Sequence, residues 1–192
     1  MEETSVLFDM NKSVVLSLLL FVSVFPAVAQ KTNDAVTKQI KSINAKGISL
    51  MPDANTSKIM ASAESVDQKE SSRAGIQAMN FGMAVFYPGT SIAASPDPIN
   101  LTFWVLSKKP RFATDNKWTA TLAKGPLELG APVYVPKPGA NMEYLNFKIS
   151  RGDLARIAAE NAVKFTLGSA EFTFTNSQLQ LIRNFLAVTD VR

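Results

Sequence analysis

The sequence predicts an α+β fold: an antiparallel twisted sheet or small β-sandwich with an inserted helix and a C-terminal helix. Three observations carry this. Short apolar segments alternating with period two recur between Ile76 and Phe174. Eight of the ten prolines fall between Pro88 and Pro138, a density that breaks helices and leaves short strands joined by ordered loops. Two helical apolar stripes, each preceded by a capping residue, stand near 151–160 and at the C-terminus.

The chain opens on export signals. Lys12 gives a short basic region, Val14 to Phe25 is an apolar run, and Pro26-Ala27-Val28-Ala29 supplies the small residues that signal peptidase accepts. The run is about a dozen residues, short of the roughly 20 that span a bilayer. Residues 1–29 therefore read as a cleavable signal peptide of bacterial type, and no transmembrane helix is expected in the mature chain. Met1 to Asp9 is acidic where such a region is basic, so Met10 is the expected initiator and 1–9 an over-called start. The expected location is periplasmic or secreted.

Residues 30–55 are polar. Val36, Ile40 and Ile43 fall at i, i+4 and i+7, a narrow stripe that suits a short helix or a tether, with Gly47 as its end. A single α+β domain is expected over 56–192. Its first strand is placed within Ile59 to Val66, followed by an exposed loop or a short helix over 67–73. Ile76 to Tyr87 reads as a strand closed by the Pro88-Gly89 turn. Ile99 to Ser107 alternates with apolar residues on both faces, Phe103 on one and Trp104 on the other, which predicts a central strand buried on two sides. Trp118 to Leu122 alternates as well. Val133-Tyr134-Val135 lies between Pro132 and Pro136, the mark of an edge strand.

The last third is the best specified. Leu145, Phe147 and Ile149 form one dry strand face. Ser150 caps the next helix, Leu154, Ile157 and Ala158 line its buried side, and Asn161 is expected as a left-handed terminator. Val163, Phe165 and Leu167, the Gly168-Ser169 turn, and Phe172 with Phe174 make a two-residue hairpin. Thr175 with Gln178 opens a final helix, whose Leu179-Ile182-Phe185-Leu186 stripe is expected to dock on that hairpin. The run Ile149 to Ala158, then Phe165-Thr166-Leu167-Gly168 and Phe172-Thr173-Phe174-Thr175 with Gln178-Leu179, resembles the C-terminal tail of uncharacterised exported bacterial proteins. The resemblance implies no activity and carries over no site residue.

Composition excludes several chemistries. The chain has no His and no Cys. Ser-His-Asp and Cys-His arrangements cannot be built, the usual zinc ligands are missing, and no cofactor or metal is expected. The whole chain carries +4, and the presequence holds Glu2, Glu3 and Asp9 against Lys12, so the mature part is more basic still. For an exported protein that charge points away from nucleic acid and toward an envelope component or anionic polymer, or simply toward solubility.

Two residue sets are candidates for binding. Lys108, Lys109 and Arg111, with Lys117 and Lys124 nearby, form the densest basic run, read either as an anionic-ligand patch or as a solvated loop at a strand end. Tyr87, Trp104, Trp118 and Tyr134 form either an aromatic binding face or part of the core. Arg151-Gly152-Asp153 spells a receptor-binding tripeptide but stands at a helix start, where Asp153 serves the helix terminus. No catalytic residue is assigned. The expected function is a non-catalytic binding or envelope-associated domain; the alternative is a carboxylate-dependent hydrolase acting on envelope polymers, which needs two carboxyl groups about 5–10 Å apart in a cleft.

Overall fold

Chain order among the described residues is β1 (Ile48–Pro52), β2 (Thr56–Ala61), β3 (Ile76–Pro88), β4 (Ile99–Ser107), β5 (Trp118–Leu122), β6 (Gly125–Leu129), β7 (Val133–Lys137) and β8 (Met142–Ile149). Helix α1 (Arg151–Ala158), the hairpin β9 (Val163–Leu167) and β10 (Ala170–Phe174), and helix α2 (Asn176–Thr189) complete it. The structure is a computed structural model that describes Lys38 and residues 47–52, 56–61, 75–88, 97–137, 139 and 141–190. The signal peptide over 1–29, the Val36-Ile40-Ile43 stripe and the 67–73 segment lie outside the described residues.

All pairings are antiparallel. A six-stranded sheet runs β1-β2-β3-β4-β8-β7 and a four-stranded sheet runs β10-β9-β5-β6. Side chains of a strand alternate between faces, so each sheet has one dry side. Met79, Phe81, Met83 and Val85 of β3, Leu101, Phe103 and Val105 of β4, and Leu145, Phe147 and Ile149 of β8 are buried together with Trp118, Ala120, Phe165, Phe172 and Phe174 of the smaller sheet. Aromatic rings bridge the layers: Phe81 to Phe174 at 4.9 Å between centroids and Phe103 to Phe165 at 5.7 Å. The predicted α+β class is thus realised as a sandwich, with the two helices α1 and α2 beside it among the described residues.

The helices lock each other. Ser150 Oγ accepts from the Asp153 N–H at 3.0 Å, and Asp153 pairs with Arg156, so the Arg-Gly-Asp run is a helix start. Arg151 reaches the far end of α2, its guanidinium donating to the Leu186 and Thr189 carbonyls at 3.3 and 3.1 Å. In return Arg183 of α2 donates to the Ala158 carbonyl at the end of α1, at 2.7 Å. Each cation therefore sits where the partner helix presents its C-terminal carbonyls and the negative end of its dipole.

Several expectations change in detail. The sheet begins at Ile48, within the 30–55 segment read as polar, because edge strand β1 pairs with β2 (Ile48 opposite Ala61, Pro52 opposite Ser57). Strand β2 runs Thr56–Ala61, earlier than expected. Strand β6 has no counterpart in the expectations: Gly125-Pro126 hides it, and Pro126 is tolerated because β6 is an edge. Asn161 is not left-handed; the one described non-glycine residue at positive φ is Asn141. Helix α1 ends instead on right-handed Ala159, whose N–H returns to Ala155 and Ile157, with Arg183 covering the carbonyl end.

The docking of α2 also differs. The apolar side of the β9–β10 hairpin faces the rings of the larger sheet. Helix α2 lies alongside β10, and it also touches α1 and β2. It occupies the flank where the six-stranded sheet extends past the four-stranded one. Leu179, Ile182, Phe185 and Val188 are buried there, and Leu186 only partly.

Candidate functional site

A sandwich has two outer faces, and in an ordinary case both are polar. The four-stranded sheet obeys. Its outward residues are Thr119 and Thr121 of β5, Pro126 and Glu128 of β6, Lys164 and Thr166 of β9, and Glu171 and Thr173 of β10, with Lys164 and Glu171 paired at 3.7 Å. The six-stranded sheet does not. Among its residues whose burial is described, the outward ones are Asn80, Gly82, Ala84 and Phe86 of β3, Asn100, Thr102, Trp104 and Leu106 of β4, Met142, Tyr144, Asn146 and Lys148 of β8, and Val133, Val135 and Lys137 of β7.

Register sets these side chains in rows across the strands. One row is Asn80, Trp104, Tyr144 and Val135; the next is Gly82, Thr102, Asn146 and Val133. Phe86, Val133 and Val135 are large apolar residues exposed at 48, 67 and 46%. Gly82 and Ala84 lack bulk, so between Trp104 and Phe86 the surface sinks into a depression of about 280 Å³, also lined by Asn100, Thr102 and Asn146. That volume lies just under the ~300–1,000 Å³ of sites for drug-sized ligands. It suits one ring-sized part of a longer molecule.

Polar groups in the depression are partly fixed and partly open. The Thr102 hydroxyl donates to Asn146 Oδ1 at 2.8 Å, and Asn146 Nδ2 donates to the Val133 carbonyl at 3.3 Å. This holds the Asn146 amide still. The contact of Asn100 Nδ2 with the Ala84 carbonyl, at 3.5 Å, is at the limit of a hydrogen bond. An amide has two donors and an acceptor oxygen, so Asn100 and Asn146 retain capacity for a ligand. The lining carries no formal charge.

The four aromatic candidates do not share a surface. Trp104 alone stands on the outer face. Tyr87 and Trp118 are buried in the core. Tyr134, on β7, turns to the inner side, where its hydroxyl lies 3.0 Å from Glu143 Oε1. Burial raises the Tyr134 pKa, and the adjoining Glu143 carboxylate adds to the rise. Tyr87 is pushed up to about 12 by burial, against the opposing influence of Arg151, and its hydroxyl has no hydrogen-bond partner among the described residues.

The basic candidates divide too. Lys108, Lys109 and Arg111 are exposed on the loop between β4 and β5, and Lys117 stands at that loop's far end, just before β5. Lys124 follows β5, so a five-residue strand of about 17 Å separates it from Lys117. The loop is held rigidly. Phe112 is buried, and Glu143, only 1% exposed, accepts the Arg111 N–H at 3.0 Å and the Phe112 N–H at 2.9 Å.

Comparison with known proteins gives no further guide. No family model, no curated protein and no solved structure matches this chain. Among the described residues no group of three or more acidic side chains is placed to hold a metal ion, and no helix is long and apolar enough to cross a membrane.

Sequence reasoning singled out Trp104 but not the residues around it. The signal was present: apolar residues on both faces of β4. They were read as burial on both sides, and only one side is covered. Gly82 and Ala84, which shape the depression, carry no pattern that marks them in sequence.

Proposed function

We propose that this chain is an exported, non-catalytic binding domain that holds a component of the cell envelope on the outer face of its six-stranded sheet. The observation that carries the reading is the contrast between the two outer faces. Threonines and a Lys-Glu pair cover one; Trp104, Tyr144, Phe86 and amides with spare hydrogen-bonding capacity cover the other. Apolar area left exposed beside fixed polar groups is the usual mark of a site that another molecule covers. A tryptophan face takes the apolar side of a ring, and amides beside it take hydroxyls and carbonyls.

The one buried carboxylate among the described residues supports a non-catalytic role. Glu143 is buried, and both its oxygens are engaged by backbone and side-chain donors. An acid or base in hydrolysis must reach its substrate. Export rests on Lys12, the apolar run and Ala27-Val28-Ala29, and places the domain in the periplasm or outside the cell.

The test uses immobilised mature protein and a glycan fraction from the envelope of its source. Retention of sugar by the parent and its loss in Trp104→Ala are expected. Equal retention by both proteins, or none by either, would refute the reading. N-terminal sequencing of exported material is expected to begin at Gln30, and a chain still carrying residues 10–29 would contradict the export assignment.

A further inference from the structure

Charge on the binding face is one-sided. Among the residues of this face whose burial is described, the charged ones are Lys137 and Lys148, and both are exposed; Lys58 of β2 takes the register position opposite Phe86. Lys148 lies directly beside Asn100, at the rim of the depression. Lys137 lies opposite Met142, which lies opposite Leu106, so it stands at the other end of the face. From the Asn100 row to the Leu106 row is six residues along β4, about 20 Å. Trp104 falls between them. Lys108 and Lys109 follow β4 at the Lys137 end and are exposed, on the loop that Glu143 and Phe112 hold in place. None of these four lysines has an acidic partner among the described residues.

The opposite outer face is an internal control. There Lys164 is paired with Glu171, and Glu128 adds a further acid. A domain that needed charge only to stay dissolved has no reason to clear acids from one face and keep them on the other. A face whose described strand residues include no acid and which carries cations at both ends attracts an extended anion.

Resting on the binding reading above, we propose that the ligand is an acidic saccharide chain. One sugar ring stacks on Trp104 over the Gly82-Ala84 floor. Its hydroxyls meet the Asn100 and Asn146 amides. Carboxylate groups further along the chain meet Lys148 at one end and Lys137 with Lys108 and Lys109 at the other. The uncharged depression sets the ring contact, and the lysines select for acidic substituents. A chain of several rings is needed to reach both ends.

The experiment compares hexasaccharides of galacturonic acid, free and methyl-esterified, by calorimetry on the mature protein. The ester keeps the ring and removes the charge. Binding of the acid at least tenfold tighter than the ester is expected. The difference is expected to shrink at high salt, where surface attractions are screened, and in the Lys137→Gln, Lys148→Gln double variant. Trp104→Ala is expected to abolish both. Equal affinity for acid and ester, lost in Trp104→Ala, would overturn the acidic ligand and leave the binding face standing. Absence of binding to either hexasaccharide would overturn the acidic ligand as well. The binding face itself falls only if envelope glycan is retained equally by the parent and Trp104→Ala, or by neither.

Discussion

Replacing Glu143 tests how the loop beside the binding face is held. Its Oε1 lies 2.9 Å from the Phe112 N–H and 3.0 Å from the Tyr134 hydroxyl. Arg111 N–H lies 3.0 Å from both oxygens, and the Ser107 hydroxyl lies 3.3 Å from Oε2. Alanine leaves the two backbone donors and the phenol without an acceptor. A buried donor left unsatisfied costs about 1–3 kcal/mol. The Phe112 amide is fully buried and the other two partly so, giving roughly 3–6 kcal/mol for Glu143→Ala. Glutamine keeps one oxygen but turns an NH2 toward a donor, so about 2–3 kcal/mol is expected for Glu143→Gln. Set against the ~5–15 kcal/mol of a typical domain, both losses are readily measured. Urea unfolding gives the free energies, and hydrogen exchange at the Arg111 and Phe112 amides shows whether the loss begins in the loop. A Glu143→Gln protein as stable as the parent, with both amides equally protected, would refute the clamp.

Tyr87 holds its proton to about pH 12 in the folded state and to about 10 when unfolded. The unfolded chain therefore binds fewer protons between those values. Stability should fall as pH rises from 10 to 12, by roughly 2–3 kcal/mol relative to Tyr87→Phe in parallel denaturant melts; identical pH profiles would contradict this. At neutral pH Tyr87→Phe should be neutral or stabilising, since the hydroxyl lacks a partner among the described residues. Gly168 has φ +57, and an added Cβ there would collide with the Asp115 carbonyl, whereas Gly139 has φ +80 and open space. Gly168→Ala should lose about 2–4 kcal/mol in thermal unfolding and Gly139→Ala only about 1–2. At the start of α2 it is Gln178 that accepts the Thr175 N–H, at 2.6 Å, while the Thr175 hydroxyl donates to Gln178. Gln178→Ala should therefore destabilise more than Thr175→Ala in urea melts, by about 1 kcal/mol.

Sequence revealed the core more fully than the surface, and the reason lies in what periodicity reports. Leu145, Phe147 and Ile149 alternate with polar residues, and so do Val163, Phe165 and Leu167; a single dry face has one reading, and β8 and β9 follow it. The Ser150 cap was legible because the oxygen must precede the first apolar turn. Where both faces of a strand are apolar, the pattern no longer says what covers them. Strand β4 was such a case, and the uncovered side became the candidate site. The docking of α2 was misread because its stripe fits any apolar neighbour. Which neighbour it meets is decided by how far one sheet extends beyond the other. The role of Glu143 carried no sequence signal, because Arg111 and Phe112 are distant along the chain and the β4–β5 loop brings them to it, while β7–β8 pairing brings Tyr134. The five basic residues looked clustered along the chain, yet β5 carries Lys124 away from the rest.

The central claim is that function resides on one outer face of the sandwich and not on the other. Paired substitutions on the two faces test it most directly. Trp104→Ala and Asn100→Ala alter the six-stranded sheet, and Thr119→Ala and Thr166→Ala alter the four-stranded one. All four are half-buried outward positions, so stability can be matched by urea unfolding before binding is measured. The measurement is retention of envelope glycan by each variant. The account predicts loss in the Trp104 and Asn100 variants and parent-like retention in the Thr119 and Thr166 variants. Loss in the threonine variants, with Trp104→Ala unaffected, would contradict it.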